Sequence, residues 1–352
     1  MSGGVDSSVA AALLVDQGHD VIGLSMQLYD ASGPSEGQAS FGSCCSIDDL
    51  HDARRVAAAL DIPHYIVNFE RQFHDQVISN FVDEYAAGRT PLPCAHCNSD
   101  LKFATLADRA LGFGAEAVAT GHYARVEREA EGGRYALKRG VDSGKDQSYF
   151  LFSLTQDQLA RAVFPVGGRP KDDVRDYARR RGLPVADKPD SQEICFIPDH
   201  DYRAFVTTRV PDAARDGVFV DEDGRILGRH GGIHRFTVGQ RKGLGLAAPT
   251  AAPMYVLALR PADQQVVVGP KASLEQTRLT ASGVNWIVPE PAGALRVAAQ
   301  IRHRHQPAPA TVRSLGDAHA EVVFDTPQLA ISPGQAVVFY NGDSVVGGGW
   351  ID

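Results

Sequence analysis

In the first 200 residues, short continuous apolar runs alternate with segments whose apolar residues recur every three or four positions. Short apolar runs bounded by polar residues predict strands, whereas apolar positions three or four apart predict helices. Strands are predicted over 20–26, 64–69 and 115–120, and helices over 9–15, from 46 to about 60, along Phe73, Val77 and Phe81, and after Asn98. Strands and helices in alternation predict a doubly wound α/β domain with a parallel sheet, whose ligands bind beyond the carboxyl ends of the strands.

The second half of the chain changes in texture at about residue 201. Helical patterns give way to short β-type runs between turns, and regular spacing of this kind is typical of small all-β domains. A junction is predicted between Pro270 and Leu279, and the runs beyond it predict a β-barrel. The predicted strands cover 217–220, 225–227, 254–259, 265–268, 295–301, 310–312, 321–324 and 336–340. We therefore expect an α/β catalytic domain over 1–203, a small central β-rich domain over 204–275 and a C-terminal β-barrel over 276–352.

The most informative motif is the string S-G-G-V-D-S-S at 2–8, which a helical pattern follows at once. Two adjacent glycines ahead of a helix let backbone N–H groups converge on an anion, and the helix dipole favours that charge. Asp6 is suited to hold a loop N–H or a phosphate-bound Mg²⁺. The spacing excludes G-x-x-x-x-G-K-[ST] and G-x-G-x-x-G. The string resembles the pyrophosphate-binding (PP) loop of the N-type ATP pyrophosphatases, which cut ATP to AMP and pyrophosphate; the alternative is a simple Gly/Ser turn.

Only Met1 stands ahead of this loop, whereas a phosphate loop of this kind follows a strand. Two explanations follow: the start codon is assigned wrongly, or the parallel sheet lacks its first strand, which would weaken ATP binding. Met26 and Gly121 stand at the ends of two predicted strands, so both are expected in the same crevice as the loop. Core filling is the alternative role for Met26.

Composition narrows the class of protein. A chain of 352 residues is too long to fold around one small hydrophobic core. Its contents of 43% hydrophobic and 22% charged residues are ordinary for a globular protein. The formal net charge of −8 argues against a general affinity for nucleic acid, so such a partner requires local basic patches. No apolar run approaches about 20 residues and no signal peptide is visible, so we expect a cytoplasmic protein without a membrane partner.

The cysteines are too few for a disulfide framework, which favours catalysis, redox chemistry or metal binding. The five are Cys44, Cys45, Cys94, Cys97 and Cys195, and the first two are expected to have no catalytic role. Cys97 precedes Asn98, a good helix N-cap, and a helix N-terminus stabilises a thiolate. Cys94 and Cys97 form a C-x-x-C pair, which fits a metal half-site or a redox pair. For Cys195 a buried, inert thiol is the alternative to a functional one.

Several separated strings occur in an order that resembles one family. They are S-G-G-V-D-S-S (2–8), G-R-T-P-x-P and C-N-x-x-L-K-F (88–103), A-T-G-H-Y (119–123), K-D-Q-S-Y-F-L (145–151), D-S-Q-E-I-C-F-I (190–197), F-T-V-G-Q-R-K-G-L-G (236–245), P-G-Q-A-V-V-F-Y (333–340) and G-G-G-W-I (347–351). Together they resemble the tRNA-specific 2-thiouridylases, the MnmA/TrmU family. The resemblance implies a PP-loop ATPase domain, a central β domain and a β-barrel that together bind a tRNA anticodon arm. It also implies adenylation of the C2 oxygen of the wobble uridine, position 34, followed by sulfur transfer from an enzyme persulfide, with release of AMP and pyrophosphate.

The resemblance assigns roles position by position. It implies Cys195 as the persulfide carrier and Cys97 as the second catalytic cysteine, which forms a transient disulfide with Cys195. The implied ATP-binding positions are Ser2, Gly3, Gly4, Asp6, Ser7, Met26 and Gly121, and the implied tRNA contacts are His122, Lys145, Asp146, Gln147, Arg302, His303 and Gln335. Arg302 and His303 open the densest cationic cluster of the barrel, the local patch that the acidic net charge makes necessary. ATP and Mg²⁺ are the implied cofactors, tRNAs for glutamate, glutamine and lysine the substrates, and a cysteine desulfurase or sulfur-relay protein the sulfur donor.

Cys94 departs from the family, because many members carry Asp there as a proposed general acid/base. A thiol with a lowered pKa transfers protons too, and it also ligates iron. An additional hypothesis is therefore a [4Fe-4S] cluster held by Cys94, Cys97 and Cys195, with persulfide chemistry as the default. Two alternatives to the thiouridylase are another ATP pyrophosphatase, which has no need of two reactive cysteines, and a tRNA-binding PP-loop protein with impaired catalysis.

Overall fold

Residues 1–28, 47–130, 132–190, 194–197, 201–246 and 253–352 are described by the structure, a computed structural model. The helices are α1 (Val5–Asp16), α2 (Ile47–Ala59), α3 (Glu70–Phe73), α4 (Ser79–Ala86), α5 (Pro93–His96), α6 (Ala107–Gly112), α7 (Gln156–Leu159), α8 (Lys171–Arg180) and α9 (Tyr202–Arg209). The strands are β1 (Gly23–Gln27), β2 (His64–Asn68), β3 (Val118–Ala119), β4 (Ala124–Arg128), β5 (Tyr135–Arg139), β6 (Ala162–Val163), β7 (Asp216–Val220), β8 (Ile226–Gly231), β9 (Tyr255–Arg260), β10 (Gln265–Gly269), β11 (Glu275–Trp286), β12 (Leu295–Gln300), β13 (Ala308–Gly316), β14 (His319–Leu329), β15 (Ala336–Asn341) and β16 (Ser344–Ile351).

The chain divides into two compact units. The first unit comprises Met1–Val77, Cys94–His200 and Asp343–Val345, and the second comprises Ile78–Pro93, Asp201–Gly342 and Val346–Asp352. The first unit has the predicted α/β character: within the described residues its parallel strands form two pairs, β1 with β2 and β3 with β6. Its antiparallel hairpin β4–β5 is not predicted from the sequence.

Helix α1 is the central buried element of the first unit. Val9 and Ala12 are fully buried, and α1 packs against α8 through a core that includes Val174 and Ala178. The helix ends as predicted at Gly18, whose φ of +83° is a left-handed conformation that glycine adopts without strain. Because both faces of α1 are packed, its N-terminus is held in a fixed place, and the loop at residues 2–4 with it.

The prediction that Asn98 caps the start of a helix is wrong. Helical backbone already begins at Pro93, suited to a first helical position because it has no N–H to satisfy, and continues through wide π-type turns over Cys97–Leu106 to α6. Asn98 is buried instead and donates from Nδ2 to the carbonyl oxygen of Phe150 at 3.1 Å. Cys97 therefore lies inside a helical run, so the argument from a helix N-terminus does not apply to it.

The second unit is β-rich, as predicted. One sheet has the strand order β8-β7-β10-β9, and β11 to β16 close into a six-stranded barrel because β11 pairs with both β14 and β16. The predicted junction up to Leu279 is too long, since β11 already begins at Glu275. Alternating residues from these strands, such as Val312, Val322 and Phe339, fill the barrel interior. Within the described ranges, no helix is long and apolar enough to cross a membrane.

Candidate functional site

Residues 2–4 form a tight loop at the N-terminus of α1. Gly3 has a φ of +71°, and a Cβ atom there would lie 2.2 Å from the carbonyl oxygen of Asp49, so the loop requires glycine at this position. Gly4 is the extended N-cap residue, and its carbonyl oxygen accepts hydrogen bonds from the hydroxyls of Ser7 at 3.2 Å and Ser8 at 2.8 Å. No side chain caps the N–H groups of α1 in the described structure. This end of the helix therefore has backbone N–H groups of the kind that an anion binds.

Lys188 ties the loop to helix α2. Its Nζ donates to the carbonyl oxygen of Gly3 at 3.1 Å, to Asp49 Oδ1 at 2.6 Å and to Asp52 Oδ2 at 2.5 Å. Burial lowers the pKa of Lys188, but the hydrogen bonds to the two carboxylates outweigh that effect, and the pKa is raised. The ammonium group thus stays charged and ties the Gly3 carbonyl to the carboxylates of Asp49 and Asp52. Sequence reasoning did not identify Lys188.

Asp6 lies in the first turn of α1 and already has partners. Its carboxylate accepts two hydrogen bonds from Lys171 Nζ, at 2.7 and 2.8 Å, and one from the Tyr123 hydroxyl at 2.8 Å. Burial and then the negative charge of Asp6 raise the pKa of Tyr123, so the phenol stays protonated and donates. The carboxylate remains the group best suited in this loop to a phosphate-bound cation.

Gly121 follows β3 and approaches the loop very closely. A Cβ atom at Gly121 would lie 2.6 Å from both the carbonyl carbon of Asp6 and the amide nitrogen of Ser7. Met26 is half-buried near the carboxyl end of β1, and its neighbour Ser25 donates to the carbonyl oxygen of Met1 at 2.6 Å. The carboxyl ends of β1 and β3 thus lie next to the phosphate loop, where an α/β protein binds its ligand.

Ser2 and Ser7 complete the loop. The Ser7 hydroxyl accepts from the Ser2 backbone N–H at 3.1 Å, and the two hydroxyl oxygens are also 3.1 Å apart. Of the predicted ATP-binding residues, Ser2, Gly3, Gly4, Asp6, Ser7 and Gly121 therefore lie together at this end of α1.

The three described cysteines are thiols, with Cys94 exposed and Cys97 and Cys195 half-buried. Cys195 is followed by Phe196, whose ring packs edge-on against Phe73 with centroids 5.5 Å apart. Helix α3, which carries Phe73, packs in turn against the helical turns that begin at Cys97. Helix α3 thus contacts both the ring that follows Cys195 and the helical segment Cys97–Leu106. Cys44 and Cys45 lie outside the described residues.

A metal cluster does not fit this arrangement. Among the residues that the structure describes, which include Cys94, Cys97 and Cys195, no three His, Cys, Asp or Glu side chains converge as ligands. Because an iron–sulfur cluster needs several thiolates on one centre, we derive no step through a [4Fe-4S] group.

The predicted tRNA contacts of the first unit surround Tyr123. Gln147 accepts from the Tyr123 N–H at 3.0 Å, and Lys145 donates to Asp190 at 2.8 Å. Asp146 serves the fold, because its carboxylate accepts from Arg139 at 2.8 Å and from the Gly140 N–H at 3.0 Å. 

His122 completes this group. Its Nδ1 lies 2.7 Å from the Thr120 hydroxyl, and its ring packs edge-on against Phe164. Burial first, and then Lys102, hold the pKa of His122 well below its ordinary value. This imidazole is therefore neutral at physiological pH.

The other predicted tRNA contacts belong to the second unit. Arg302 and His303 are exposed, and the Arg302 guanidinium donates to the carbonyl oxygen of Leu329 at 3.2 Å, while no carboxylate of the described residues pairs with Arg302. Gln335 donates to the carbonyl oxygens of Thr90 at 3.0 Å and Pro91 at 3.2 Å. The fold thus joins the strings around 88–93 and 333–340, which are far apart in sequence.

An α/β domain with a phosphate loop at the start of a buried helix defines a PP-loop type of nucleotide-binding protein, here continued by β domains. Family models agree: residues 1–199 match the tRNA methyl transferase HUP domain, 203–270 the tRNA methyl transferase PRC-barrel domain, and 276–351 the aminomethyltransferase beta-barrel domain. The chain is 53% identical over 353 residues to the tRNA-specific 2-thiouridylase MnmA of Geotalea uraniireducens (strain Rf4), covering 100% of this chain and 93% of the relative. It is 53% identical over 354 residues to that of Geobacter metallireducens, covering 100% and 95%.

The chain therefore belongs to the tRNA-specific 2-thiouridylase family, MnmA, as the ordered motifs predict. A solved structure of NMN synthetase from Francisella tularensis is similar at a TM-score of 0.31 and 17% identity, covering 59% of this chain and 74% of that one. This similarity is too low to support a conclusion about this chain.

Proposed function

We propose that this protein is a tRNA 2-thiouridine synthase that uses ATP to activate the C2 oxygen of the wobble uridine and then replaces it with sulfur. The observation that carries the proposal is the phosphate loop, in which Lys188 donates to the Gly3 carbonyl oxygen and no side chain caps the N–H groups at the N-terminus of α1 in the described residues. Membership of a family whose curated members are named tRNA-specific 2-thiouridylases supplies the substrate and the sulfur chemistry.

The first chemical step is an adenylation. The uridine O2 attacks the α-phosphorus of ATP, and pyrophosphate leaves. The loop N–H groups and the positive end of α1 stabilise the charge that develops on the departing pyrophosphate. Asp6 is the residue here that would hold a phosphate-bound Mg²⁺, which neutralises phosphate charge when bound. A ring carbonyl oxygen is a poor leaving group. Once the oxygen is adenylated it leaves as part of AMP, which is a good leaving group.

The second step transfers sulfur. The terminal sulfur of a persulfide on Cys195 attacks C2 of the uridine, and AMP leaves with the oxygen. The Cys97 thiolate then attacks the Cys195 sulfur, breaks the sulfur–sulfur bond to the new 2-thio group and forms a Cys97–Cys195 disulfide. Two thiols are oxidised as the transferred sulfur is reduced, so a thiol reductant and a fresh sulfur donor, such as a cysteine desulfurase or a sulfur-relay protein, complete the cycle.

The adenylation step is tested with α-labelled ATP and two tRNA transcripts that differ at one base. With a sulfur donor and a thiol reductant present, we expect AMP and pyrophosphate to form in equal amounts with uridine at position 34, and neither to form above background with cytidine there. The substrates are transcripts of the glutamate, glutamine and lysine tRNAs that the family resemblance implies. AMP formation that does not depend on the wobble base would contradict activation of the uridine oxygen.

The cationic cluster of the barrel leads to a prediction about salt dependence. Arg302→Ala is expected to weaken tRNA binding and to reduce the slope of log K against log salt concentration by about one, because one phosphate contact is lost. The matched control is Arg296→Ala, because Arg296 is also exposed on the barrel but is neutralised by Asp325 at 2.6 Å. Filter binding at several salt concentrations measures both slopes. Equal slopes for the two variants would remove Arg302 from the tRNA interface.

A further inference from the structure

Asp190 joins three cations in the first unit. Its Oδ2 accepts from Lys145 Nζ at 2.8 Å, while its Oδ1 accepts from Lys171 Nζ and from Arg175, each at 2.8 Å. Partial burial raises the pKa of Asp190, but the hydrogen bonds from Lys145 and Lys171 outweigh burial and lower the pKa to about 2. The carboxylate is therefore ionised throughout the physiological range, and it stands five residues before Cys195 in the sequence.

Two of these cations, Lys171 and Lys145, lie in different surroundings. Lys171 is buried, with 8% of its side chain exposed, and it also donates to both carboxylate oxygens of Asp6 in the phosphate loop. Lys145 is 41% exposed and has Asp190 as its acidic partner. Asp190 is thus the shared carboxylate between a lysine at the ATP loop and a lysine at the surface.

Lys171 is divided between two carboxylates that compete for it. While Lys145 neutralises Asp190, Asp6 retains a strong hold on Lys171. An anion that draws Lys145 away leaves Asp190 with less compensating charge, and the attraction of Asp190 for Lys171 rises. The Lys171 ammonium then shifts from Asp6 towards Asp190. The Asp6 carboxylate becomes available to a cation on the phosphates of ATP.

We propose that Asp190 is a positioning residue that couples the two substrates: a tRNA phosphate that binds Lys145 makes Asp6 available to Mg²⁺-ATP, and the reverse. The inference rests on the proposed function, since it takes tRNA and ATP as the substrates. Coupling of this kind is reciprocal, so each substrate tightens the other by the same factor. With this coupling, the phosphate loop engages ATP fully only when a tRNA is present to receive the adenylate.

The test measures that factor directly. Calorimetry gives the affinity of wild type for Mg²⁺ with α,β-methylene-ATP, which cannot be cleaved to AMP, without and with saturating unmodified tRNA transcript. We expect tRNA to tighten analogue binding within the usual range for coupled sites, about 5- to 150-fold. In Asp190→Asn the factor should fall to about one. A purely structural loss would change both affinities together and leave their ratio intact.

The matched control is Asp187→Asn. Asp187 lies three residues earlier in the same segment, is 80% exposed and pairs with Arg179 at 3.0 Å. This variant should keep the wild-type factor. If Asp190→Asn does not fold, Lys145→Gln tests the same link from the exposed end. It should also bring the factor to about one, because no lysine charge remains for a tRNA phosphate to draw away from Asp190, and Asp190 attracts Lys171 equally with and without tRNA.

Two results overturn the inference: a wild-type factor of one, or a factor retained in Asp190→Asn or, where that variant is unfolded, in Lys145→Gln. Failure of the proposed function is recognised separately, because the same wild-type preparation is assayed for 2-thiouridine. Thiouridine formed with a factor of one overturns the coupling alone. An enzyme that neither binds the transcript nor forms thiouridine overturns the proposed function and the coupling with it.

Discussion

Replacement of either Cys195 or Cys97 by serine is expected to lower 2-thiouridine formation by at least about a thousandfold, while the tRNA-dependent release of pyrophosphate in the adenylation step still occurs. Cys195 carries the sulfur in the proposed chemistry, and a hydroxyl cannot form a persulfide. Cys97 is required one step later, because without it the bond between Cys195 and the transferred sulfur is not broken. Nucleoside mass spectrometry of the tRNA and a coupled pyrophosphate assay measure the two steps in one reaction.

The two variants are distinguishable from each other. Cys97→Ser should accumulate a tRNA–enzyme adduct that dithiothreitol releases, whereas Cys195→Ser should accumulate none. Cys45→Ser is the matched control, because this cysteine is predicted to have no catalytic role. Wild-type thiouridine levels in Cys195→Ser or Cys97→Ser would contradict the proposed sulfur transfer.

Gly3→Ala is expected to abolish ATP binding at working concentrations. The new methyl group would stand 2.2 Å from a backbone oxygen of Asp49, and the residue would keep a left-handed φ of +71°. Strain and overlap of this size cost roughly 3 kcal/mol or more, which corresponds to at least about a hundredfold in affinity if the loop moves to relieve them. Calorimetric titration with the uncleavable analogue measures the loss.

Gly18→Ala separates the two causes of that loss. Gly18 also has a left-handed φ, +83°, but a Cβ there has no neighbour within 4 Å. We expect this variant to lose only about 1–2 kcal/mol of stability and to bind the analogue like wild type. Equal analogue binding by Gly3→Ala and wild type would show that the loop at 2–4 does not hold the phosphates.

The part of the site that the sequence predicts is local in sequence. The phosphate loop is recognisable because its glycines, its serines and the following helix are contiguous, and Gly121 because a strand ends just before it. Lys188 and Lys171 escaped the same reasoning because they reach Gly3 and Asp6 across 185 and 165 residues of chain. No periodicity in a sequence reports which distant lysine meets which carboxylate.

The features of the fold that the sequence predicts are also the local ones. Alternation of strands and helices and the switch to short β runs give the classes of the domains correctly. The start of the helix at Pro93 was missed because Asn98, a good cap in isolation, makes a tertiary hydrogen bond to Phe150 instead. Strand β11 begins inside the predicted junction because its polar first residues pair with β14, which local propensity does not reveal.

The most direct test of the central claim is nucleoside mass spectrometry of a tRNA transcript after reaction with this protein. The reaction contains Mg²⁺-ATP, an isotopically labelled sulfur donor system and a thiol reductant. The proposed function predicts one labelled 2-thiouridine per tRNA, at position 34, with one AMP released for each, and no product when ATP is omitted. Unmodified tRNA in the complete reaction, from enzyme that binds both ATP and the transcript, would contradict it.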